Sequence, residues 1–144
     1  MTFVAPFGRA EIEQIIPHRH PFLLIDQVLE LEPGARVLAQ KTVTEEDCAG
    51  HFPGNPIFPG VKTVEALAQC GAVAVLSQPE NQGKLALFAG IDDVRFKRIC
   101  RPGDLLTLEC VLDVVRGPIG RGKVRATVDG KLAVRGTLTF AVEQ

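Results

Sequence analysis

The chain has 144 residues, of which 46% are hydrophobic and 23% are charged, and its 16 basic and 17 acidic residues leave a net charge of −1. This balance argues against bulk binding to nucleic acid, and no apolar run is long enough to cross a membrane, so we expect one soluble domain over residues 1–144. The four cysteines lack the spacing of a metal site or a disulfide framework, and the start lacks the basic residues of a signal peptide, which predicts a cytoplasmic chain with reduced thiols.

The first part of the chain predicts one short helix and two strands. Residues 9–16 place Ile12, Ile15 and Ile16 on one face of a helix that ends at a proline. Residues 22–31 and 35–43 have the composition of strands. The Pro33-Gly34 dipeptide between them predicts a turn that joins the two strands.

The longest predicted element is an almost wholly apolar helix over residues 61–77. Lys62, Glu65 and Gln69 are spaced i, i+3 and i+7, so they form one polar line along this helix. A polar line on an otherwise buried helix predicts either a cleft or an interface. Several alanines and Gly71 would let a neighbouring backbone approach closely, and we expect at least a dimer.

The rest of the chain has a strand pattern almost to its end. The predicted strands cover residues 85–96, 104–115, 123–128 and 131–142. A loose connection over residues 117–122 joins the second of these strands to the third, and Asp129-Gly130 predicts a two-residue hairpin turn. About six strands and one long apolar helix indicate an α+β fold, in which an antiparallel sheet curls around the helix.

Two side chains near the start of the long helix indicate acid–base chemistry. His51 lies in a loop stiffened by three prolines, and Glu65 follows on the apolar helix. Burying a carboxylate without a partner is costly, so the position of Glu65 favours a functional role, and an acid with a nearby histidine is a general acid–base pair in outline. Two structural alternatives stay open: His51 could bond a loop carbonyl, and Glu65 could form an ion pair with Lys62.

Two further signals concern the helix start and a histidine pair. The backbone N–H at Gly60 could stabilise a developing oxyanion, or it could belong to an ordinary helix start. His18 and His20 flank Arg19 and could suggest a metal site. No ligand at a matching spacing completes such a site, so we interpret the two residues as loop histidines and expect no metal.

A basic cluster follows the strand over residues 85–96. Lys97 and Arg98, with Arg101 close behind, could bind a phosphate or an acidic partner. Residues 95–144 carry ten basic and five acidic side chains, which agrees with a docking surface. Solvated faces of strands would explain the same composition.

Several blocks of the sequence share one family resemblance. In chain order they are HRHPFLLID (18–26), GHFPGNP (50–56), PGV (59–61), VEALAQ (64–69), FAGID (88–92), RFKR (95–98) and PGD (102–104). Together they resemble the FabZ-type (3R)-hydroxyacyl-[acyl carrier protein] dehydratases, in order and without large gaps over nearly the whole chain.

This resemblance implies a hot-dog fold, in which the sheet wraps one central helix. It also implies a homodimer, commonly assembled into a hexamer as a trimer of dimers, with His51 of one subunit facing Glu65 of the other. The substrate would be a 3-hydroxyacyl chain on the phosphopantetheine of an acidic acyl carrier protein, with no bound cofactor or metal. Phe52, Phe58 and Phe88 would line the acyl tunnel.

The resemblance also implies roles in fatty acid biosynthesis chemistry. His51 would act as the base, oriented by the Ile57 carbonyl, and Glu65 would assist departure of the hydroxyl, while the Gly60 amide would receive the thioester oxygen. The related FabA-type dehydratase/isomerases have aspartate where this chain has Glu65, so dehydration alone is favoured.

The chain departs from its resemblance at two positions, and three alternatives to dehydration stay open. His20 and Lys62 stand where relatives have tyrosine and an apolar residue, and a Lys62–Glu65 contact would oppose the acid role of Glu65. A dehydratase/isomerase, a thioesterase and a non-catalytic acyl-thioester binding protein are the alternatives. If the chain is a dehydratase of this family, the basic cluster Lys97, Arg98 and Arg101 would dock the carrier protein.

Overall fold

The computed structural model describes residues 2–143 and contains two helices and seven strands in this part of the chain. The elements are β1 (Phe7–Gly8), α1 (Arg9–Ile15), β2 (Gln27–Glu32), β3 (Arg36–Thr42), α2 (Gly60–Leu76), β4 (Ala86–Phe96), β5 (Leu105–Arg116), β6 (Ile119–Val128) and β7 (Lys131–Val142). Short 3-10 turns at Glu46–Cys48 and Pro79–Asn81 flank α2.

The seven strands form one antiparallel sheet in the order β1-β2-β3-β5-β6-β7-β4. The β6–β7 hairpin turns at Asp129-Gly130, where both residues have positive φ, of 51° and 75°. A two-residue turn of this kind requires positive φ at both positions, which confirms the predicted hairpin. Strand β4 pairs only with β7 and therefore forms one edge of the sheet, and its last residue, Phe96, lies beside Gly60 at the start of α2.

Helix α2 lies against the inner face of this sheet and contacts strands β3 to β7. Thirteen of its 17 residues are buried, including Leu67 and Leu76, which meet a sheet face that contributes Leu106 and Leu108. Burial of each such side chain contributes roughly 1.5–3 kcal/mol. The helix is therefore held by the sheet rather than by its own propensity, and the predicted α+β arrangement is confirmed.

The sheet differs from the sequence prediction in three places. It has seven strands rather than about six, because the two-residue β1 is too short to show an alternating pattern. Strand β2 begins at Gln27 rather than at residue 22, because the residues before it dock on α2 through the Gln69 side chain. Strand β6 begins at Ile119, so the predicted loose connection over residues 117–122 is a tight turn followed by strand.

Gly71 does not face a second subunit as the dimer argument supposed. It is buried on α2, and a Cβ at this position would overlap the ring of Phe140 on β7 of the same chain. The missing side chain therefore brings the helix close to its own sheet.

Over residues 2–143, no helix is both long and apolar enough to cross a membrane.

Candidate active site

The backbone holds His51 at both of its ends. The His51 N–H donates to the Cys48 carbonyl at 2.9 Å, and its carbonyl accepts from the Ile57 N–H at 2.7 Å. Its ring Nδ1 lies 3.0 Å from the Ile57 carbonyl oxygen. Because a carbonyl can only accept, Nδ1 carries a proton in this contact, and in the neutral form of the ring Nε2 has the free lone pair. An imidazole held in this way can accept a proton at Nε2.

Glu65 lies in the second turn of α2, where a glutamine holds it. Gln69 Nε2 donates to Glu65 Oε2 at 2.9 Å, and the same side chain bonds the backbone of Leu24 and Phe22 at 2.8 and 2.9 Å. Gln69 is 1% exposed, whereas the Glu65 side chain is 23% exposed. Along the predicted polar line, the buried amide of Gln69 therefore fixes the partly exposed carboxylate of Glu65.

His18 also reaches Glu65, which the sequence did not reveal. Its Nε2 lies 3.7 Å from Glu65 Oε2, and its buried Nδ1 has no hydrogen-bond partner among the described residues. Burial lowers the pKa of His18, and the charge of Arg19 lowers it slightly further. The negative charge of Glu65 acts in the opposite direction but does not outweigh burial. The imidazole beside Glu65 is therefore neutral at neutral pH. His20, by contrast, is exposed and lies 3.3 Å from Glu46.

Three neighbouring cavities follow one side of α2. The first, of about 330 Å³, includes Ile57, Phe58 and Gly60 in its lining. The second, of about 230 Å³, shares Val61 and Phe96 with the first and adds residues that include Glu65 and Phe88. The third, also of about 230 Å³, shares Glu65 and Phe88 with the second and adds residues that include His18 and Gln69. Together they form a mostly apolar groove, which we call the helix groove.

The helix groove contains most of the residues singled out from the sequence, but not all of them. Phe58, Phe88, Ile57, Gly60 and Glu65 line it. Phe52 is 52% exposed and stacks on the His51 ring with centroids 4.1 Å apart, and neither of these two residues lines the three cavities. Within one chain, Glu65 therefore lines the helix groove and His51 does not.

Phe96 is a groove residue that sequence analysis placed only in a motif. It lines two of the cavities, and its ring lies so close to Gly60 that a Cβ there would be 2.6 Å from Cε1. Glycine at position 60 therefore gives the aromatic ring access to the helix start. No periodicity or charge pattern in the sequence could have revealed this contact between two segments 36 residues apart.

Lys62 does not serve as the partner of Glu65. Its Nζ donates to the backbone carbonyl of Asp47 at 2.8 Å, and within residues 2–143 no ion pair joins it to Glu65. The structural alternative in which Glu65 pairs with Lys62 is therefore wrong. The concern that Lys62 would favour the ionised form of Glu65 through direct contact is removed as well.

Asp47 is part of a buried ion pair next to the His51 loop. Its Oδ2 lies 2.8 Å from Lys41 Nζ, and the same oxygen accepts from the N–H and hydroxyl of Thr44, both at 2.8 Å. The Lys41 side chain is 3% exposed. Burial alone would raise the pKa of Asp47, but the hydrogen bonds from Lys41 and Thr44 outweigh it, so the pKa is lowered.

We expect Asp47→Asn to lower the free energy of unfolding by about 3 kcal/mol at neutral pH, because it leaves the Lys41 ammonium buried without a counter-charge. Because the pKa of the Asp47 carboxyl is lowered in the folded state, the carboxylate stabilises the fold at pH values above its ordinary pKa of 3.8. That stability disappears as the pH falls through the lowered folded-state pKa. Thermal unfolding of both proteins should therefore show a gap at pH 7 that narrows near pH 3. A gap that stays constant with pH would contradict the ion pair.

The three basic residues of the predicted docking cluster are exposed at one end of the helix groove. Arg98 lines the first cavity beside Gly60 and Ile57. Arg101 Nη1 donates to Asn55 Oδ1 at 2.8 Å, on the loop that carries His51. Lys97 is fully outside the groove lining but adjoins Arg98 on the same exposed segment. The structure thus brings the cluster to the mouth of the first cavity.

No group of three His, Cys, Asp or Glu side chains is placed to hold a metal ion in the described part of the chain. The four cysteines are free and buried, and burial raises the pKa of Cys110 to about 12. A thiol with a raised pKa is a poor nucleophile. The groups available for chemistry in and beside the groove are therefore the imidazoles, the carboxylate and the helix-start amide.

Comparison with known proteins adds family evidence to this geometry. A family model described as the FabA-like domain matches residues 16–137. The chain is 58% identical over 134 residues to the 3-hydroxyacyl-[acyl-carrier-protein] dehydratase FabZ of Chloroflexus aggregans, covering 92% of this chain and 93% of the relative. It is 59% identical to the protein of the same name from Roseiflexus castenholzii, covering 92% and 94%.

Solved structures agree on the fold. The dehydratase heterocomplex ApeI:P from Xenorhabdus doucetiae superposes with a TM-score of 0.78 at 22% identity, covering 92% of this chain and 91% of that chain. The uncharacterized protein PH1136 from Pyrococcus horikoshii superposes with a TM-score of 0.73 at 14% identity, covering 98% and 96%. At these identities the likeness concerns the fold alone, and it confirms the hot-dog prediction.

Proposed function

The chain belongs to the FabA-like family, and we propose that it removes water from (3R)-hydroxyacyl-[acyl carrier protein] in fatty acid biosynthesis, giving the trans-2-enoyl product. We assign the role of the base to His51 and the role of the acid to Glu65. The two relatives described above, which carry this activity in their names, share 58% and 59% identity with the chain over 92% of its length. The observation that carries the residue roles is the contact of His51 Nδ1 with the Ile57 carbonyl, since it leaves Nε2 free to accept a proton.

The elimination requires two proton transfers. His51 Nε2 takes the proton from the carbon next to the thioester, and the electron pair of that C–H bond forms the new C=C bond. The C–O bond to the hydroxyl breaks, and Glu65 delivers a proton so that the group leaves as water. Gln69 supports this role because its donated hydrogen bond fixes the carboxyl group at the groove edge.

The thioester oxygen becomes negative as the α-proton leaves. Gly60 is the first residue of α2, and its N–H has no hydrogen-bond partner within residues 2–143. An N–H at a helix start combines a free donor with the positive end of the helix dipole. We assign it to the oxyanion, where loss of one donor costs about 2.7–4 kcal/mol in other enzymes.

The complete site requires a second copy of the chain. Within one chain Glu65 lines the helix groove and His51 does not, and edge strand β4 beside Glu65 is rich in exposed apolar side chains, among them Leu87, Ile91 and Phe96. An exposed apolar edge strand favours pairing with another strand. A homodimer formed through β4 would bring Glu65 of one subunit to His51 and the Gly60 N–H of the other. We propose this dimer, and a trimer of such dimers as the hexamer.

The groove also indicates how the substrate binds. Its apolar lining suits an acyl chain, with Phe58 and Phe88 along it and Phe52 beside His51 at the subunit boundary. We propose that no cofactor takes part beyond the phosphopantetheine of the carrier protein. The four free, buried cysteines are those of a protein kept in a reducing compartment, and we place the activity in the cytoplasm.

The experiment that tests this function supplies the purified protein with a 3-hydroxyacyl thioester and follows the ultraviolet absorbance of the conjugated enoyl product. A rise in absorbance without release of thiol is expected. Release of free thiol instead would identify a thioesterase, and binding with no change in either signal would identify an acyl-thioester binding protein. Formation of a 3-enoyl product as well would identify a dehydratase/isomerase.

The basic cluster gives a separate prediction for carrier-protein docking. We expect Arg98→Glu to raise KM for the carrier-bound substrate about tenfold and KM for a small thioester less than twofold. The reason is that the acidic surface of the carrier protein would lose an attractive partner, whereas a small thioester has no such surface. Lys97→Glu and Arg101→Glu should act in the same direction. Arg116→Glu is the matched control, because Arg116 is exposed at the far end of the sheet and its substitution changes the charge by the same amount. Equal losses on both substrates would exclude a docking role.

A further inference from the structure

Lys62 links the loop of His51 to helix α2. Its Nζ donates to the Asp47 carbonyl at 2.8 Å, and the next residue, Cys48, accepts the His51 N–H at 2.9 Å. The Asp47 side chain is held as well, by the buried Lys41 of strand β3. The short turn before His51 is therefore fixed between a strand and a helix by two lysines.

The position of Lys62 is electrostatically unfavourable for any ordinary role on the helix. It lies in the first turn of α2, where the positive end of the helix dipole disfavours a cation. No ion pair with a carboxylate offsets this in the described residues, and the Asp47 carbonyl is the one acceptor that Nζ has there. A charge-assisted hydrogen bond of this kind is stronger than one between neutral groups. The bond to Asp47 thus explains how this helix start tolerates a lysine.

We propose that Lys62 is a positioning residue for the dehydration, which sets the distance between His51 and the Gly60 N–H of the same subunit by binding the Asp47 carbonyl of that subunit. The inference rests on the proposed roles of these two groups. Lys62 is two residues from Gly60 and reaches the turn that ends three residues before His51. A misplacement of about 1 Å in a catalytic group can cost about 100-fold in rate, so a tie of this kind has a measurable effect on turnover.

Three variants test the proposal. Lys62→Met keeps the aliphatic stem and removes the donor, and we expect it to lower kcat about tenfold while KM changes less than twofold. Lys62→Arg keeps a donor and should restore kcat to within about threefold of wild type. Arg36→Met is the control, because it removes ion pairs with Glu30 and Glu109 on the sheet away from the groove. It should lower the melting temperature without lowering kcat.

A second measurement follows the tie without using activity. Hydrogen exchange of the His51 amide, which donates to Cys48, should become about tenfold faster in Lys62→Met and stay unchanged in Arg36→Met. Wild-type values of either kcat or amide exchange in Lys62→Met would overturn the proposal. A wild-type protein without dehydratase activity would refute the proposed function instead, and the exchange comparison would still decide whether Lys62 holds the loop.

Discussion

His51→Ala is expected to lower kcat for dehydration by about 10²–10⁴-fold, the usual contribution of a positioned general base. The variant should keep its fold, because the His51 side chain is partly exposed and its backbone bonds to Cys48 and Ile57 do not depend on the ring. Steady-state kinetics with a 3-hydroxyacyl thioester, followed by enoyl absorbance, measure the loss. Far-ultraviolet circular dichroism and the melting temperature check that the fold is intact.

His20→Ala is the matched control for this variant. His20 is also a loop histidine, but its side chain is 69% exposed and lies outside the helix groove. Its loss should leave kcat within about twofold of wild type. Near-normal turnover by His51→Ala, or an equal loss in both variants, would remove the base role from His51.

The sequence alone predicts those parts of the molecule in which the cause is local. The two positive-φ residues of the β6–β7 turn, the apolar helix and the 3.6-residue spacing of Glu65 and Gln69 are all properties of neighbouring residues, and the structure has each of them. The family motifs extend this to His51 and Glu65 as acid–base candidates. Their catalytic roles stay predictions until the variants are measured.

The parts that the sequence did not reveal depend on contacts between distant segments. Residues 22–26 are apolar enough for a strand, yet the Gln69 amide takes up two of their backbone groups and prevents sheet pairing there. His18 reaches Glu65 across 47 residues, and Lys62 turns to Asp47 rather than to the carboxylate one turn away. Each outcome was decided by a side chain of α2 whose partner no periodicity could identify.

A mixture of two inactive variants should recover activity if the site is shared between subunits. His51→Ala and Glu65→Gln each remove one member of the acid–base pair. In a mixed dimer with two-fold symmetry, one site keeps both native residues and the other has lost both. Random mixing makes half of the dimers mixed, so we expect about a quarter of wild-type activity from subunits refolded together or coexpressed.

The outcome separates the two possible arrangements of the site. If His51 and Glu65 of the same chain acted together, no subunit in the mixture would carry both residues, and activity would stay at the level of the separate variants. The control mixes His51→Ala with the double variant His51→Ala/Glu65→Gln, in which every possible site lacks the imidazole and recovery is excluded. Because Glu65 lines the helix groove and His51 of the same chain does not, recovery is the expected result. Failure of a properly assembled mixed dimer would overturn the shared site while leaving each single-variant loss to be explained within one subunit.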